Sequence, residues 1–185
     1  MKHCSDNSGD RRIGRDWEER FCELVAQRGR SFTTHQIDKS GAALAISIDM
    51  EREKRRTLPD VSVWTFPTEH HEIKHKSPTK EGHFGLEVYR FDALRWFWLE
   101  TGNDVMYTIH RHDWNGGRNV ERNRIEDWVT ISIAKMDQLI NRGAAVRRFS
   151  PSWVNGSRKD NVPMWYWHAN LWAPLAHYWN RHESN

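Results

Sequence analysis

The sequence predicts an α/β protein in which a mixed central sheet is flanked by helices, in the order helix, strand, strand, strand, helix, strand (αβββαβ). Two segments, 14–29 and 84–102, carry apolar residues at helical spacing, and each ends at a glycine. Short runs rich in β-branched and aromatic residues lie between and after them, as is typical of strands. A chain of 185 residues can bury one good core, which predicts a single domain.

The first helix is predicted over residues 14–29, with Gly29 as its stop. Its apolar face is formed by residues at helical spacing, namely Trp17, Phe21, Leu24 and Val25. Glu18 lies at the edge of this face, one turn before Phe21. The preceding residues, 1–13, are mostly polar and are predicted as a disordered or frayed tail.

Four strands are predicted around the second helix. The first is 31–37, and a neighbouring pair follows at 58–64 and 70–75. The fourth is 104–110, directly after the second helix. Residues 38–58 form a long connection between the first two strands, which is either an inserted helix or a strand extension with a charged arm.

A turn-rich break at 114–118 precedes a C-terminal part that is dense in aromatic residues. It carries a predicted strand at 128–133, a short helix at 134–142 and a last helix that starts at Pro174. We interpret its tryptophans as core or interface residues, with stacking on unpaired bases as the alternative. The expected organisation is a tail, a core and a Trp-rich extension packed on that core, at 1–13, 14–113 and 114–185.

The chemistry is concentrated in Pro59-Asp60 and Glu72-Ile73-Lys74, on the two neighbouring strands. Residues two apart in a strand share a face, so Glu72 and Lys74 project together while Ile73 points to the core. A carboxylate pair suits a hard cation such as Mg²⁺, and a lysine beside it can orient a water or stabilise charge on a phosphate. The bland alternative is a turn followed by a strand with solvated charges.

These motifs, together with Gly14-x-x-x-Glu18 and a helix that ends in glycine, resemble the PD-(D/E)xK nuclease superfamily and its archaeal-type Holliday junction resolvases. The resemblance covers about the first 113 residues and implies the restriction-endonuclease-like αβββαβ core. It implies hydrolysis of phosphodiester bonds in nucleic acid, most naturally DNA. It also implies Mg²⁺ or Mn²⁺ held by Asp60, Glu72 and the backbone carbonyl of Ile73, with Lys74 and Glu18 completing the catalytic set and Glu19 as the alternative to Glu18.

Further basic residues are candidates for contact with nucleic acid. The charged arm contributes Lys54, Arg55 and Arg56, although a solvated charge run is the commoner explanation. The third strand and the following loop contribute His75, Lys76 and Lys80. Arg90 stands about where many relatives carry a glutamine, and its planar fork could hold a phosphate.

Composition bounds the remaining classes. The formal net charge is +3, which permits an acidic partner such as DNA without requiring one. The sequence has no bilayer-spanning apolar run and no secretory signal, and its two cysteines do not suggest a disulfide framework, so we expect a cytoplasmic protein without a membrane partner. A zinc site is disfavoured for lack of a zinc motif, despite the histidines His70, His71, His75, His110 and His112.

The size and the first-helix pattern favour a structure-selective endonuclease of resolvase type, or a small nuclease of a phage or mobile element. A resolvase acts on two strands and should be a symmetric homodimer, whereas a monomer would favour a nickase, repair enzyme or exonuclease. Two alternatives from other classes stay open. One is a non-catalytic nucleic-acid-binding or protein-interaction module on the same fold. The other is an interaction protein whose Trp-rich tail is the partner surface.

Overall fold

The computed structural model describes residues 7–34, 59–64, 68–111, 124–154 and 157–183. The helices are α1 (Asn7–Gln27), α2 (Val88–Thr101), α3 (Ile133–Asn141) and α4 (Leu175–Glu183). The strands are β1 (Ser31–Thr34), β2 (Val61–Trp64), β3 (Glu69–Lys76), β4 (His83–Glu87), β5 (Asp104–Arg111), β6 (Trp128–Ser132), β7 (Val146–Val154), β8 (Ser157–His168) and β9 (Ala173–Pro174).

The main sheet has six strands in the order β1-β2-β3-β5-β6-β9. Strands β3 and β5 run parallel, with Glu72 paired to Tyr107, while the other neighbours pair antiparallel. The parallel pair is possible because α2 provides the crossover between them. The predicted fold class, α/β with a mixed central sheet flanked by helices, is confirmed.

Side-chain alternation along the strands divides the core into two clusters, one on each face of the main sheet. On the α1 face, Ile73 of β3 packs with residues of α1 and α4 such as Phe21 and Trp179. On the α2 face, Tyr107 and its neighbours in β5 pack with α2, α3 and β8, as in the contact of Phe91 with Trp167. Consecutive residues of β3 therefore face different surroundings.

Strand β4 is the main departure from the predicted element order. The sequence predicts that the polar loop leads to Phe84 and directly into the second helix, with no strand between them. In the structure Phe84 lies in β4, and α2 begins only at Val88. Strand β4 pairs with β8 in a separate three-stranded sheet, β4-β8-β7. Through this three-stranded sheet, residues of β8 pack against the α2 face of the main sheet.

Other boundaries also differ from prediction. Helix α1 begins at Asn7, so residues 7–13 form its first turns and not a frayed tail. Pro174 lies in β9 and α4 begins at Leu175. Strands β6 and β9 extend the main sheet, so the residues after 124 complete the fold that begins before them. The insertion at 38–58 and the break at 114–118 lie outside the described residues.

The tryptophans that the structure describes are largely packing residues. Trp128, Trp167 and Trp179 are fully buried, and Trp172 nearly so. The core interpretation therefore holds for these four side chains. Within the described ranges, no helix is both long and apolar enough to span a bilayer.

Candidate active site

Asp60, the residue before β2, lies next to the Glu72-Ile73-Lys74 motif of β3. Because β2 and β3 pair antiparallel with Val61 opposite His71, the residue before Val61 lies next to Glu72. The backbone N–H of Ile73 donates to Oδ2 of Asp60 over 2.7 Å, which fixes the carboxylate against the strand. The two halves of the motif, 12 residues apart at Asp60 and Glu72, are therefore joined by a backbone hydrogen bond next to Glu72.

The ammonium group of Lys74 lies among the three oxygens predicted to bind metal. Its Nζ is 2.6 Å from Oε1 of Glu72, 2.8 Å from the Ile73 carbonyl and 3.4 Å from Oδ2 of Asp60. Glu72 and Lys74 thus share one face, whereas the Ile73 side chain is buried in the α1-face cluster. One cation can contact all three oxygens at this point.

Arg90 is the second basic residue in contact with Glu72. It lies in the first turn of α2, and its Nη1 donates to Oε1 of Glu72, the oxygen that Lys74 also contacts. Glu72 is completely buried, while the side chains of Asp60, Lys74 and Arg90 are 20%, 27% and 23% exposed. The cluster is therefore anchored in the interior at Glu72 and opens to solvent through the other three groups.

The charged groups of the cluster shift one another's pKa values. Burial opposes ionisation of Glu72, but Arg90 and then Lys74 outweigh it and hold the pKa of Glu72 below its usual range. Burial, followed by the nearby charge of Glu72, raises the pKa of Asp60. The Lys74 pKa is raised, since the attraction of Asp60 and Glu72 exceeds the opposing effect of burial. A further cation near Asp60 would oppose this upward shift, because a nearby positive charge favours the ionised carboxylate.

The residues present fit a hard divalent cation. Oε2 of Glu72 is buried and has no hydrogen-bond partner among the described residues. The described hydrogen bonds to Asp60 use Oδ2. Two carboxylates and a carbonyl are oxygen ligands of the kind Mg²⁺ and Mn²⁺ prefer, and Mg²⁺ completes its shell with water. Across the described ranges, no three His, Cys, Asp or Glu side chains converge as a metal-binding group.

The predicted DNA-contacting residues are divided between the two faces. Lys76 lies on the α2 face, where its Nζ donates to the Gly85 carbonyl over 2.8 Å, and burial lowers its pKa. Lys80 is exposed in the turn before β4. His75 lies on the α1 face, stacked on Trp17 at 4.2 Å, and so points away from Glu72. The arm at 54–56 lies outside the described residues, and contact of all these residues with nucleic acid stays a prediction.

Glu18 belongs to α1, the helix that covers the face opposite Glu72 and Lys74. Its neighbour Trp17 packs against the sheet there, stacked on His75 and His110. The catalytic role of Glu18 stays a prediction, and so does that of its alternative Glu19. Arg90, in contrast, is predicted from the sequence only for DNA contact, and in the structure it directly contacts the carboxylate of Glu72.

The described histidines of β3 and β5 are hydrogen-bonded to other side chains. His71 is hydrogen-bonded to Thr108 and Glu69, and His75 to His110. His70 lies on the α2 face, where it bonds Ser62 and packs on Phe97. The alternation of β3 thus sends His70 to one face and His71 and His75 to the other.

Gly85 is a residue of the site region that the sequence analysis did not single out. Its carbonyl accepts hydrogen bonds from Lys76 and from the Tyr107 hydroxyl, the latter at 3.2 Å. A Cβ at this position would lie 2.7 Å from Cε1 of Tyr166. An isolated glycine between two apolar residues, Phe84 and Leu86, is the sequence signal of such a close approach in a strand.

Comparison with known proteins gives a distant structural likeness. No family model and no curated protein matches the chain. Among solved structures, the chain is similar to Hjc, a Holliday junction resolvase from the archaeal hyperthermophile Archaeoglobus fulgidus. The TM-score is 0.41, with 10% sequence identity, and the match covers 82% of this chain and 82% of that chain. So remote a likeness says nothing about activity, ligands or partners, and the chemistry of the site rests on its own geometry.

Proposed function

We propose that this protein is a metal-dependent nuclease that hydrolyses phosphodiester bonds in DNA. The supporting observation is the convergence of Glu72 Oε1, the Ile73 carbonyl and Asp60 Oδ2 on one cationic nitrogen, that of Lys74. Three oxygens within 3.4 Å of one positive centre are a preformed cation site. Buried ionic clusters cost stability relative to apolar packing, which favours a functional explanation for this one.

The side chains have separate tasks in this proposal. Mg²⁺ or Mn²⁺ bound by Asp60, Glu72 and the Ile73 carbonyl would polarise the scissile phosphate and lower the pKa of a bound water. The flexible Lys74 side chain moves off the three oxygens and orients the attacking water or stabilises the charge that develops on the phosphate. Arg90 holds a phosphate oxygen through its fork. The backbone hydrogen bond from Ile73 keeps Asp60 in register with Glu72.

We further propose that the substrate is branched DNA and that the enzyme is a structure-selective endonuclease of resolvase type. The small size of the chain and the Gly14-x-x-x-Glu18 helix pattern support this choice. Such an enzyme cuts two strands and requires two active sites, so the active form is a homodimer that works on DNA inside the cell. Light scattering during size-exclusion chromatography measures the oligomeric state.

A cleavage panel tests the proposal. The substrates are linear duplex, single strand, supercoiled plasmid and a four-way junction, each with Mg²⁺, Mn²⁺ or EDTA. Asp60→Asn removes one ligand charge yet keeps an oxygen that can accept from the Ile73 N–H. The matched control is Glu100→Gln, an equal charge change at an exposed position near the end of α2.

We expect metal-dependent cutting by the wild type and by Glu100→Gln, with the junction cut fastest, and loss of cutting in Asp60→Asn. An Asp60→Asn protein that cuts as fast as the parent would refute the site. Binding of DNA without cutting under any condition would instead support the non-catalytic module. Absence of both cutting and binding would leave the interaction-protein alternative.

A further inference from the structure

The formal charges of Glu72 and of the three charged groups next to it sum to zero. Asp60 and Glu72 supply two negative charges, and Lys74 and Arg90 supply two positive ones, all linked by contacts to Glu72 or Asp60. A divalent cation that joined this set would leave an excess of two positive charges around a completely buried carboxylate. Excess charge in such a place is costly unless a further anion arrives. The oxygens of the cluster therefore bind a divalent cation more tightly when an additional anion is present.

Arg90 is the group that decides this balance. It contacts the same Glu72 oxygen, Oε1, that Lys74 approaches at 2.6 Å, so this oxygen is occupied by two cationic donors. The Lys74 nitrogen has two further oxygen contacts, to the Ile73 carbonyl and to Asp60. The described hydrogen bond between the Arg90 guanidinium and this cluster is the one to Glu72. Release of the guanidinium therefore breaks this hydrogen bond and works against the attraction of the Glu72, Asp60 and Glu87 charges.

The position of Arg90 also gives it access to a substrate. Its side chain is 23% exposed whereas Glu72 has no exposed surface. It follows Tyr89, a large side chain that is 42% exposed in the first turn of α2. A guanidinium binds carboxylate and phosphate with the same planar fork, so it can exchange one anion for the other without changing its protonation.

We propose that Arg90 withholds Glu72 from the metal until a phosphodiester is present. In the free protein the guanidinium neutralises Glu72. When DNA binds, Arg90 transfers to a phosphate oxygen, Glu72 becomes available, and the phosphate charge offsets that of the incoming cation. This inference rests on the proposed function and deepens it, because it makes metal binding conditional on substrate.

Two consequences follow. Metal and DNA bind with positive coupling, and the coupling is reciprocal, so each tightens the binding of the other by the same factor. Removal of the Arg90 charge leaves the cluster with one net negative charge, so the free protein then binds metal more tightly. Arg90→Gln therefore gains metal affinity while it loses cleavage, a combination that a merely structural role for Arg90 does not give.

The test is titration with Mn²⁺ by calorimetry, with and without a duplex whose phosphorothioate linkages slow its hydrolysis. We compare the wild type, Arg90→Gln, Arg90→Lys and the control Arg95→Gln. Arg95 lies on the same helix and pairs with an acid, Asp137, at 2.7 Å, but outside the cluster. Circular dichroism melts verify that each variant is folded.

We expect the wild type and Arg95→Gln to bind Mn²⁺ about tenfold more tightly with the duplex than without it. Arg90→Gln should bind Mn²⁺ about tenfold more tightly than the wild type without DNA, and the duplex should raise its affinity by a smaller factor than it raises that of the wild type. Arg90→Lys keeps the charge without the fork, so its affinity without DNA stays near that of the wild type while its coupling falls.

A folded Arg90→Gln protein that binds Mn²⁺ no more tightly than the wild type without DNA would overturn this inference alone. The same holds if the wild type binds Mn²⁺ equally well with and without the duplex. Absence of Mn²⁺ binding by every variant under both conditions would overturn the nuclease proposal and this inference with it. The two failures are therefore distinguishable.

Discussion

The two faces of β3 carry polar residues in very different states. On the α1 face, His71 bonds Glu69 and Thr108, and Thr108 continues to Thr130 at 2.9 Å, so protein groups complete a buried chain of hydrogen bonds. On the α2 face, the adjacent Glu72 is surrounded by two cations, and its Oε2 has no hydrogen-bond partner within the described part of the chain.

This contrast separates a structural polar network from a candidate site. Hydrogen bonds between protein groups satisfy the α1-face network, and such networks stabilise and specify a core. The α2-face cluster concentrates full charges around Glu72, whose other oxygen, Oε2, has no hydrogen-bond partner among the described residues, and such an arrangement costs stability. Burial alone therefore does not identify function, since His71 and Glu72 are both completely buried. The distinguishing features are two cations in contact with one buried carboxylate and a carboxylate oxygen, Oε2, without a hydrogen-bond partner among the described residues.

The largest effect is expected at Lys74. Lys74→Met removes the ammonium but keeps a similar length, so cleavage should fall about 10²–10⁴-fold because no group then orients the water or stabilises the phosphate. Mn²⁺ binding should persist, since the three oxygens remain and a competing cation is gone. Single-turnover cleavage and calorimetry on the same preparation measure both. Parent-like cleavage would show that Lys74 has no part in the chemistry.

A second contrast concerns Cys22, a buried residue of the α1-face cluster. Burial, followed by the nearby Glu18 charge, raises the pKa of this thiol to about 11. At pH 8 it is therefore neutral in the folded state, and its thiolate fraction is about 10²-fold lower than at the ordinary value. In a Cys4→Ser background, we expect alkylation by iodoacetamide to be about 10²-fold slower in buffer than in urea. Equal rates would contradict the burial of Cys22.

The α1-face network should matter for stability and not for chemistry. Thr108→Val removes the hydroxyl shared by His71 and Thr130 and leaves both without this buried partner. We expect a loss of about 1–3 kcal/mol in the free energy of unfolding. Thr34→Val, at an exposed position of β1, is the control. Urea titration measures the loss, and a cleavage rate per folded molecule that falls with Thr108→Val would break the distinction between the faces.

The smallest effect is expected at Gly85, which joins β4 to the α2 face. Gly85→Ala places a methyl group 2.7 Å from a ring atom of Tyr166, so one of the two must shift, at about 1–2 kcal/mol. Because Tyr166 is a side chain and not backbone, Tyr166→Leu should reduce the penalty of Gly85→Ala in a double-mutant cycle. Additive losses in urea titration would contradict this contact.

The sequence predicts the centre of the site better than its surroundings. Strand alternation places Glu72 with Lys74, because a period of two leaves no freedom once β3 is recognised. The contact of Arg90 with Glu72 was not predicted, because it depends on β4 redirecting the chain before α2. Strand β4 was missed because Phe84 and Phe91 also fit helical spacing, and local pattern cannot decide between them when the partner strand, β8, lies about 80 residues further along.

The most direct test is a crystal structure of the wild type with the phosphorothioate duplex and Mn²⁺, with the anomalous signal of manganese used to locate the ion. We expect one peak about 2.1 Å from oxygens of Asp60, Glu72 and the Ile73 carbonyl, with the Lys74 ammonium displaced from them. A peak at other residues, with the Lys74 ammonium still among those three oxygens, would contradict the central claim that they form the metal site.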